Sequence, residues 1–254
     1  MTPAGNVRLD LRTWPEVEAY LSERQDIIVP IGSTEQHGPN GLIGTDALCA
    51  ELIARAAAER SGTLVAPTIA VGMAQHHLGF PGSISLRPST LIAVVADVIA
   101  SLARNGFTRI AFLNGHGGNV ATVGAAFAEY YSASSFAPAS NAAPAECRLT
   151  NWWELPEAAR LREALYGEAE GSHATPAEVA ITQAAFPDQV KQAEMHPAIA
   201  PDGSFSDAAD YRRRFPDGRI GSNPALATPE AGARLLEAAA QDYARAHLAW
   251  IGRA

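Results

Sequence analysis

Short runs of β-branched and aliphatic residues alternate along this 254-residue chain with longer segments of helical periodicity. Strands are predicted at Asp26–Ile31, 63–67, 108–113 and 147–152. Helices are predicted at 13–24, 47–60, 88–104, 120–131, Pro176–Ala185 and Pro229–Trp250. Such alternation is typical of an α/β fold, in which helices pack on the faces of a sheet.

Two segments interrupt this pattern. Residues 132–144 are small, polar and proline-bearing, so a loop or insertion is predicted there. Residues 197–223 are rich in turn formers and have little periodicity, which predicts an excursion over the surface or across a subunit contact. Neither segment divides the chain into halves of different composition, and we expect a single domain over 1–254.

Composition narrows the classes of function. The chain is 47% hydrophobic and 18% charged and has no apolar run long enough to span a bilayer, so no membrane association is expected. Its formal net charge of −8 has the wrong sign for binding nucleic acid. The N-terminus lacks the pattern of a secretory signal, and two cysteines, Cys49 and Cys147, are too few for a disulfide framework. A cytoplasmic location is therefore expected.

Metal-ligand residue types follow two predicted strands and precede a predicted helix. Glu35 and His37 come directly after Asp26–Ile31, with Asp46 beyond them, and His116 follows the strand at 108–113. A third segment, HATPAE, leads into the helix at Pro176–Ala185. Ligands of open α/β sheets collect at the carboxyl ends of the strands, so these segments are the candidate site.

A mixed set of carboxylates and imidazoles indicates a transition metal. Glu35 and His37 are two residues apart, so in an extended segment both side chains point to the same side. Their chemistry suits Zn²⁺, Mn²⁺ or Fe²⁺ better than Ca²⁺ or Mg²⁺. Asp46 has two carboxylate oxygens and could bridge two ions, and His116 would add another imidazole.

Each of these residues also has an ordinary structural explanation. A loop histidine such as His37 is usually a polar surface residue, and Asp46 alone would be a helix N-cap. The segment NGHGGN at 114–119 could be a phosphate-binding turn, although it lacks the GxGxxG spacing. The joint occurrence of these residues favours the metal site.

Three longer motifs resemble those of a known family. VPIGSTEQHGP with its downstream TD, QHHLGFPGSISL and FLNGHGGN together are similar to the creatininase (creatinine amidohydrolase) family, over about residues 26–186. The resemblance implies a three-layer α/β/α fold with a largely parallel central sheet. It also implies a homo-oligomer, commonly a hexamer, and hydrolysis of a C–N amide bond at a dinuclear metal centre.

Specific residues carry the implied roles. Glu35, His37, Asp46 and His116 match the family's metal ligands, with Asp46 as the bridge between two divalent ions, and His173 matches a histidine that protonates the departing nitrogen. Substrate contacts are expected from His77 in the second motif, from Gly117 and Gly118, whose missing side chains allow close approach, and from Trp152 and Trp153, which fall near a tryptophan-bearing flap. Core packing explains the two tryptophans equally well.

The chain also departs from the family pattern. Creatininases have a glutamate two residues after the histidine of the NGH motif, where this chain has Gly118. The NGHGGN form is similar to relatives that remove formyl groups or trim peptides, whose later motif reads HAGExETS. Here Glu178 matches its second glutamate and Pro176 replaces the first. Glu178 is therefore the candidate for the missing ligand and for the base that accepts the water's proton. Residues 40–44 also replace the usual HLPL-like sequence.

The leading hypothesis is an amidohydrolase in which a hydroxide bridging two metal ions attacks a small amide or lactam. A formamide deformylase or a peptidase of the same family is the first alternative. A non-catalytic metal-binding scaffold is the second, because Gly118 and Pro176 interrupt the known motifs. A nucleotide-binding protein is a remote third.

Overall fold

A four-stranded sheet forms the centre of the computed structural model, which describes residues 6–137 and 143–253. Its strands are β1 (Asp26–Ile31), β2 (Leu64–Val65), β3 (Arg109–Asn114) and β4 (Glu146–Asn151), in the order β2-β1-β3-β4. All three strand pairs are parallel. Ile31 pairs with Asn114, and Asn114 with Asn151, so three strands end at the same level.

Eight α-helices surround this sheet in the described residues. They are α1 (Trp14–Glu23), α2 (Thr45–Ser61), α3 (Pro88–Arg104), α4 (Asn119–Phe136), α5 (Pro156–Tyr166), α6 (Pro176–Ala185), α7 (Ala208–Arg214) and α8 (Pro229–Trp250). Within the described ranges, no helix is both long and apolar enough to cross a membrane.

Alternate residues of the strands bury two separate cores. Ile28 and Leu113 face a core built with α2, α5, α6 and α8. Ile27 and Phe112 face the other side, where α3 and α4 pack and α1 contributes partly buried residues. Because successive strand side chains point to opposite faces, the two clusters place the sheet between two helical layers. The predicted three-layer α/β/α architecture with a parallel sheet is confirmed.

The predicted loop at 132–144 is partly wrong. Helix α4 continues to Phe136, since no glycine or proline interrupts the chain between Gly124 and Pro138. Residues 138–142 lie outside the described part of the chain. Two helices, α5 and α7, were not predicted.

The segment 197–223 does more than run over the surface. It contains α7, whose Tyr211 is buried, and it buries the side chain of Arg219. The Arg219 guanidinium donates to the carbonyl oxygens of Pro197, Ala198 and Ser222. These bonds fold the segment back on itself, and Ile220 forms an antiparallel bridge with His173. The excursion therefore supports a predicted site residue.

Candidate metal centre

Five predicted ligand residues meet beyond the carboxyl ends of β1 and β3. Glu35 and His37 follow β1, Asp46 lies in the first turn of α2, His116 follows β3, and Glu178 lies in the first turn of α6. All five side chains are buried. Buried carboxylates and imidazoles are costly unless paired or bound to a metal, so the cluster requires a physical explanation.

One group of donor atoms lies between β1, α2 and β3. His116 Nδ1 is 3.3 Å from Glu35 Oε1 and 3.0 Å from Asp46 Oδ2. His116 Nε2 lies 3.0 Å from the carbonyl oxygen of Met73. With Nε2 protonated and donating to that carbonyl, the Nδ1 lone pair faces the two carboxylates, which is the orientation of a metal ligand.

A second group lies on the other side of Asp46. His37 Nε2 is 2.9 Å from Asp46 Oδ1 and 3.8 Å from Glu178 Oε1. His37 Nδ1 lies 3.1 Å from the carbonyl oxygen of Glu35, which again leaves the other ring nitrogen facing the cluster. Asp46 thus belongs to both groups, one carboxylate oxygen in each.

The donor atoms of the two groups that share Asp46 suit divalent cations, and Glu35, His77 and His173 form a third group of possible ligands. In each group the three ligand atoms lie within 4.8 Å of one another. Glu35 Oε1 and Asp46 Oδ2 are buried and accept no hydrogen bond among the described residues, so both have free lone pairs for a cation. Imidazole and carboxylate ligands together favour Zn²⁺, Mn²⁺ or Fe²⁺. The assignment of these residues as ligands stays a prediction.

Electrostatics within the cluster are strong. Burial alone would lower the pKa of His37, but the carboxylates of Asp46 and Glu178 raise it to about 10. Burial also lowers the pKa of His116, but the carboxylates of Glu35 and Asp46 outweigh it and raise this pKa to about 9. Burial raises the pKa of Glu178 to about 7. Two divalent ions would take the place of the histidine protons, so their binding would release protons.

His173 lies at the edge of the cluster. Its Nε2 is 2.9 Å from the carbonyl oxygen of Gln36, and its Nδ1 is 3.7 Å from Glu35 Oε1. Burial and the neighbouring histidines hold the pKa of His173 well below its ordinary value, which keeps the free imidazole neutral. The Ser222 hydroxyl donates to its carbonyl oxygen at 2.7 Å.

His77 is buried behind Glu35. Its Nε2 is 3.1 Å from Glu35 Oε1, and its Nδ1 lies 2.9 Å from Gln36 Nε2. The same Gln36 nitrogen donates to the carbonyl oxygen of Gly218 at 2.9 Å. These contacts make His77 a neighbour of a candidate ligand, and its predicted contact with substrate stays a prediction.

A cavity of about 330 Å³ opens beside the cluster. It is lined by Asp46, Gly115, His116, Gly117, Trp152, Trp153, Arg162, Gly171, Ser172, His173, Thr175 and Glu178. Among the described residues, the cavity lining includes three predicted substrate-binding residues, Gly117, Trp152 and Trp153. The other two, His77 and Gly118, are not part of it. Trp152 also packs in the core on the α2 face, so its packing role and its place in the cavity wall coexist.

Sequence reasoning missed Arg162, Ser172 and Thr175 in this wall. Arg162 lies on the unpredicted helix α5, although Pro156 at its first position and the apolar spacing of Leu161 and Leu165 are helix signals. Ser172 and Thr175 flank the predicted His173 and carried no independent motif.

The ordinary alternatives for single residues do not fit. His37 is only 1% exposed and is not a surface residue. Asp46 lies inside α2, which begins at Thr45 after Gly44, so it is not the N-cap. In the NGHGGN turn, the Asn114 side chain donates to the carbonyl oxygen of His116 and the Asn119 side chain to that of Gly32. These asparagines hold the turn that positions His116.

Fold and donor set together define a class, a three-layer α/β protein with a buried cluster of possible metal ligands. The family model described as creatininase, creatinine amidohydrolase, matches residues 10–247, and the chain belongs to this family.

Curated relatives align with part of the chain. A mycofactocin precursor peptide peptidase of Mycolicibacterium smegmatis is 40% identical over 40% of this chain, and a creatinine amidohydrolase of Pseudomonas putida is 37% identical over 41%. The matches cover 43% and 42% of these two relatives, less than half of the length of each.

Solved structures align over nearly the whole chain. A creatininase in a manganese form has a TM-score of 0.84 at 27% identity, and a creatininase variant of Zn-Zn type has 0.83 at 26%. Each comparison covers 97% of this chain and 99% of the other. The shared fold therefore includes the loops that carry the cluster.

Proposed function

We propose that the protein is a metal-dependent amidohydrolase that cleaves a C–N amide bond of a small molecule. The observation that carries this proposal is the buried Asp46 carboxylate, which directs one oxygen to each of two donor groups. Bridging carboxylates of this kind hold the metal pairs of hydrolases. Family membership and the manganese and zinc forms of solved creatininases support the same activity.

In this proposal, Glu35, Asp46 and His116 hold one ion, and His37, Asp46 and Glu178 hold the other. Ions bound there would lower the pKa of a water molecule toward neutrality and polarise the substrate carbonyl. Glu178 lines the cavity and accepts the proton of the attacking water. Burial raises the pKa of Glu178 to about 7, which favours its acceptance of a proton.

His173 serves as the proton donor to the departing nitrogen. It lines the cavity beside Glu178, and its backbone is held by the bridge to Ile220. A neutral imidazole has no proton to spare, so His173 would first take up the proton that Glu178 accepts from the water and then pass it to the departing amine. Its lowered pKa favours that release. Gly117 leaves the cavity floor open, since no atom lies within 4 Å of the position of an added Cβ.

A peptidase is the second candidate. The relative with the 40% identical segment is a peptide peptidase, and Gly118, like the NGHGGN motif around it, follows the pattern expected of peptide-trimming relatives. The two candidates differ in substrate size and share the metal centre, so substrate profiling separates them once the centre is established.

Elemental analysis of metal-loaded variants tests the shared centre. Wild-type protein should bind about two Zn²⁺ or Mn²⁺ ions per chain, Asp46→Ala should lose both, and Glu178→Gln should keep about one. Gln at position 178 keeps the oxygen that accepts the capping hydrogen bond, so loss of one ion would result from the removed negative charge. Asp97→Asn, on the exposed face of α3, is the matched control and should keep both ions.

Protein that stays metal-free after reconstitution with Zn²⁺, Mn²⁺ and Fe²⁺ would contradict the proposal. Two ions without turnover of lactams, formamides or short peptides would favour a metal-binding scaffold.

A further inference from the structure

One cation lies in the wall of the cavity beside the cluster. Arg162 on α5 contributes the one guanidinium or ammonium group among the described residues that line this cavity. Its side chain is 19% exposed, compared with 62% for Arg160 two residues earlier on the same helix. A partly buried arginine facing a ligand cavity is a candidate for recognising an anionic group.

Two of the three Arg162 nitrogens are held by the protein. Nε donates to Glu170 Oε1 at 2.6 Å, and Nη1 donates to the carbonyl oxygen of Trp153 at 2.9 Å. Nη2 donates to no acceptor within 6–137 and 143–253. Glu170 Oε2 is also buried without a partner, so Glu170 does not form the two-pronged pair that would occupy Nη2. The guanidinium is thus fixed in place with one nitrogen free.

A second unused donor belongs to the same wall. Trp152 Nε1 is buried and has no hydrogen-bond partner in the described chain, and the Trp152 ring centroid lies 5.8 Å from the Arg162 carbon Cζ. A buried indole N–H normally finds an acceptor. Because this indole N–H is fully buried, Arg162 Nη2 is the donor that the wall offers to a carboxylate oxygen.

Arg162 and the candidate cluster share one cavity. Arg162, Asp46, His116 and Glu178 all line the cavity of about 330 Å³, so a ligand that fills it reaches both the guanidinium and the candidate metal ligands. An amide substrate that also carries an anionic group can therefore place its amide at the cluster and that group at Arg162.

We propose that Arg162 is a specificity residue that binds a carboxylate carried by the amide substrate, so that the substrate class is an N-acyl amino acid or a short peptide end. This inference rests on the proposed function. It deepens that function by naming the group that the substrate carries in addition to the scissile amide.

Isothermal titration with two matched probes tests the proposal. Hippurate carries an amide and a carboxylate, and hippuramide carries an uncharged amide in place of the carboxylate. Metal-loaded wild-type protein should bind hippurate at least 10-fold more tightly than hippuramide. Arg162→Met should weaken hippurate binding by about 10- to 100-fold, the range for a charge-assisted hydrogen bond, and leave hippuramide unchanged. Arg162→Lys should recover part of the preference.

Controls separate charge recognition from damage to the fold. Arg160→Met removes the same charge from α5 outside the cavity and should keep the preference. Since Arg162→Met leaves Glu170 buried without its partner, Arg162→Met/Glu170→Gln provides a variant without an unpaired carboxylate. Its thermal unfolding should match wild type more closely, and its hippurate preference should still be lost.

Repeating the titration on chelated protein distinguishes this proposal from the proposed function. An Arg162-dependent preference for hippurate in the chelated protein would support the carboxylate site whether or not the protein is a hydrolase, and failure to bind metal on reconstitution would contradict the hydrolase alone. Equal binding of the two probes by wild type, or a preference that survives in Arg162→Met, would overturn the carboxylate site. Tighter binding of inorganic phosphate than of hippurate would also overturn it.

Discussion

Residue 118 shows how one side chain decides which ligands a metal cluster can use. A Cβ at Gly118 would be 2.5 Å from the carbonyl oxygen of Met73 and closer still to His116 Nε2. Any side chain there would compete with the hydrogen bond that orients the His116 ring. The chain therefore has no room at this position for the glutamate of creatininases, and Glu178, which groups with His37 and Asp46, stays the predicted replacement for that ligand.

Gly118→Ala should lower metal content without unfolding the protein. The new methyl group would push the His116 imidazole out of its position, and we expect the ion of the first donor group to be lost. Gly117→Ala is the matched control, because an added Cβ there meets no atom within 4 Å. Elemental analysis after dialysis measures the difference. Equal ion content in the two variants would show that the ring tolerates the methyl group.

At the scale of single residues, sequence motifs predicted which side chains form the cluster better than they predicted which side chains surround it. Glu35, His37, Asp46 and His116 lie together as their motifs indicated, because each follows a strand end or begins a helix. Arg162 was not predicted, since a lone arginine carries no motif and its place in the cavity depends on the packing of α5.

The start of α6 joins a structural element to the candidate site. Thr175 Oγ1 accepts a hydrogen bond from the Glu178 backbone at 3.2 Å, and Glu178 Oε1 accepts one from the Thr175 backbone at 2.6 Å. This reciprocal capping box fixes the carboxylate that lies 3.8 Å from His37 Nε2. Pro176 takes the first helical position, where a proline costs no hydrogen bond. The departure from the family motif thus has a structural role.

Thr175→Ala should weaken both the helix and the second donor group. Loss of the cap should cost about 1 kcal/mol of unfolding free energy, and a loosened Glu178 should lower affinity for the second ion by about 10- to 100-fold. Thr228→Ala removes the equivalent cap of α8, whose hydroxyl accepts from the Ala231 backbone at 3.2 Å. Urea unfolding should show similar losses, and metal titration should separate the variants. A parallel loss of ion affinity in Thr228→Ala would contradict this link.

At the scale of elements, start signals gave reliable boundaries. Asp26–Ile31, Pro176–Ala185 and Pro229–Trp250 have the predicted bounds, because a continuous apolar run or a capping threonine with proline marks each one. Helix α7 has only seven residues, too few to show a period, and tertiary contacts of Tyr211 and Phe215 supply its stability.

Across the whole molecule, a polar network ties the C-terminal helix to the beginning of the sheet. The Asp26 carboxylate accepts hydrogen bonds from Arg24 Nε at 2.9 Å and Nη2 at 2.7 Å, and from Thr63 Oγ1 at 3.1 Å. His247 Nε2 on α8 lies 2.9 Å from the same carboxylate, across 221 residues of sequence. Periodicity predicted α8 and β1 separately. No local sequence pattern indicated that a buried network of charged residues would link them.

Asp26→Asn should destabilise the protein in a way that depends on pH. Burial alone would raise the pKa of Asp26, but the hydrogen bonds from His247 and Arg24 outweigh it and hold this pKa well below its ordinary value. The folded state therefore binds fewer protons than the unfolded chain, whose aspartates titrate near pH ~4, so the contribution of Asp26 is complete above that pH and declines as pH falls. At pH 7 the variant should lose about 3–5 kcal/mol of unfolding free energy, the usual cost of breaking a buried ion pair.

Urea unfolding of both proteins from pH 7 to pH 3 measures this difference in unfolding free energy. The gap should narrow by up to about 1.4 kcal/mol per pH unit below pH ~4. Asp97→Asn on the exposed face of α3 should match wild type throughout, and a gap for Asp26→Asn that stays constant to pH 3 would mean that the carboxylate is not stabilised by its charge.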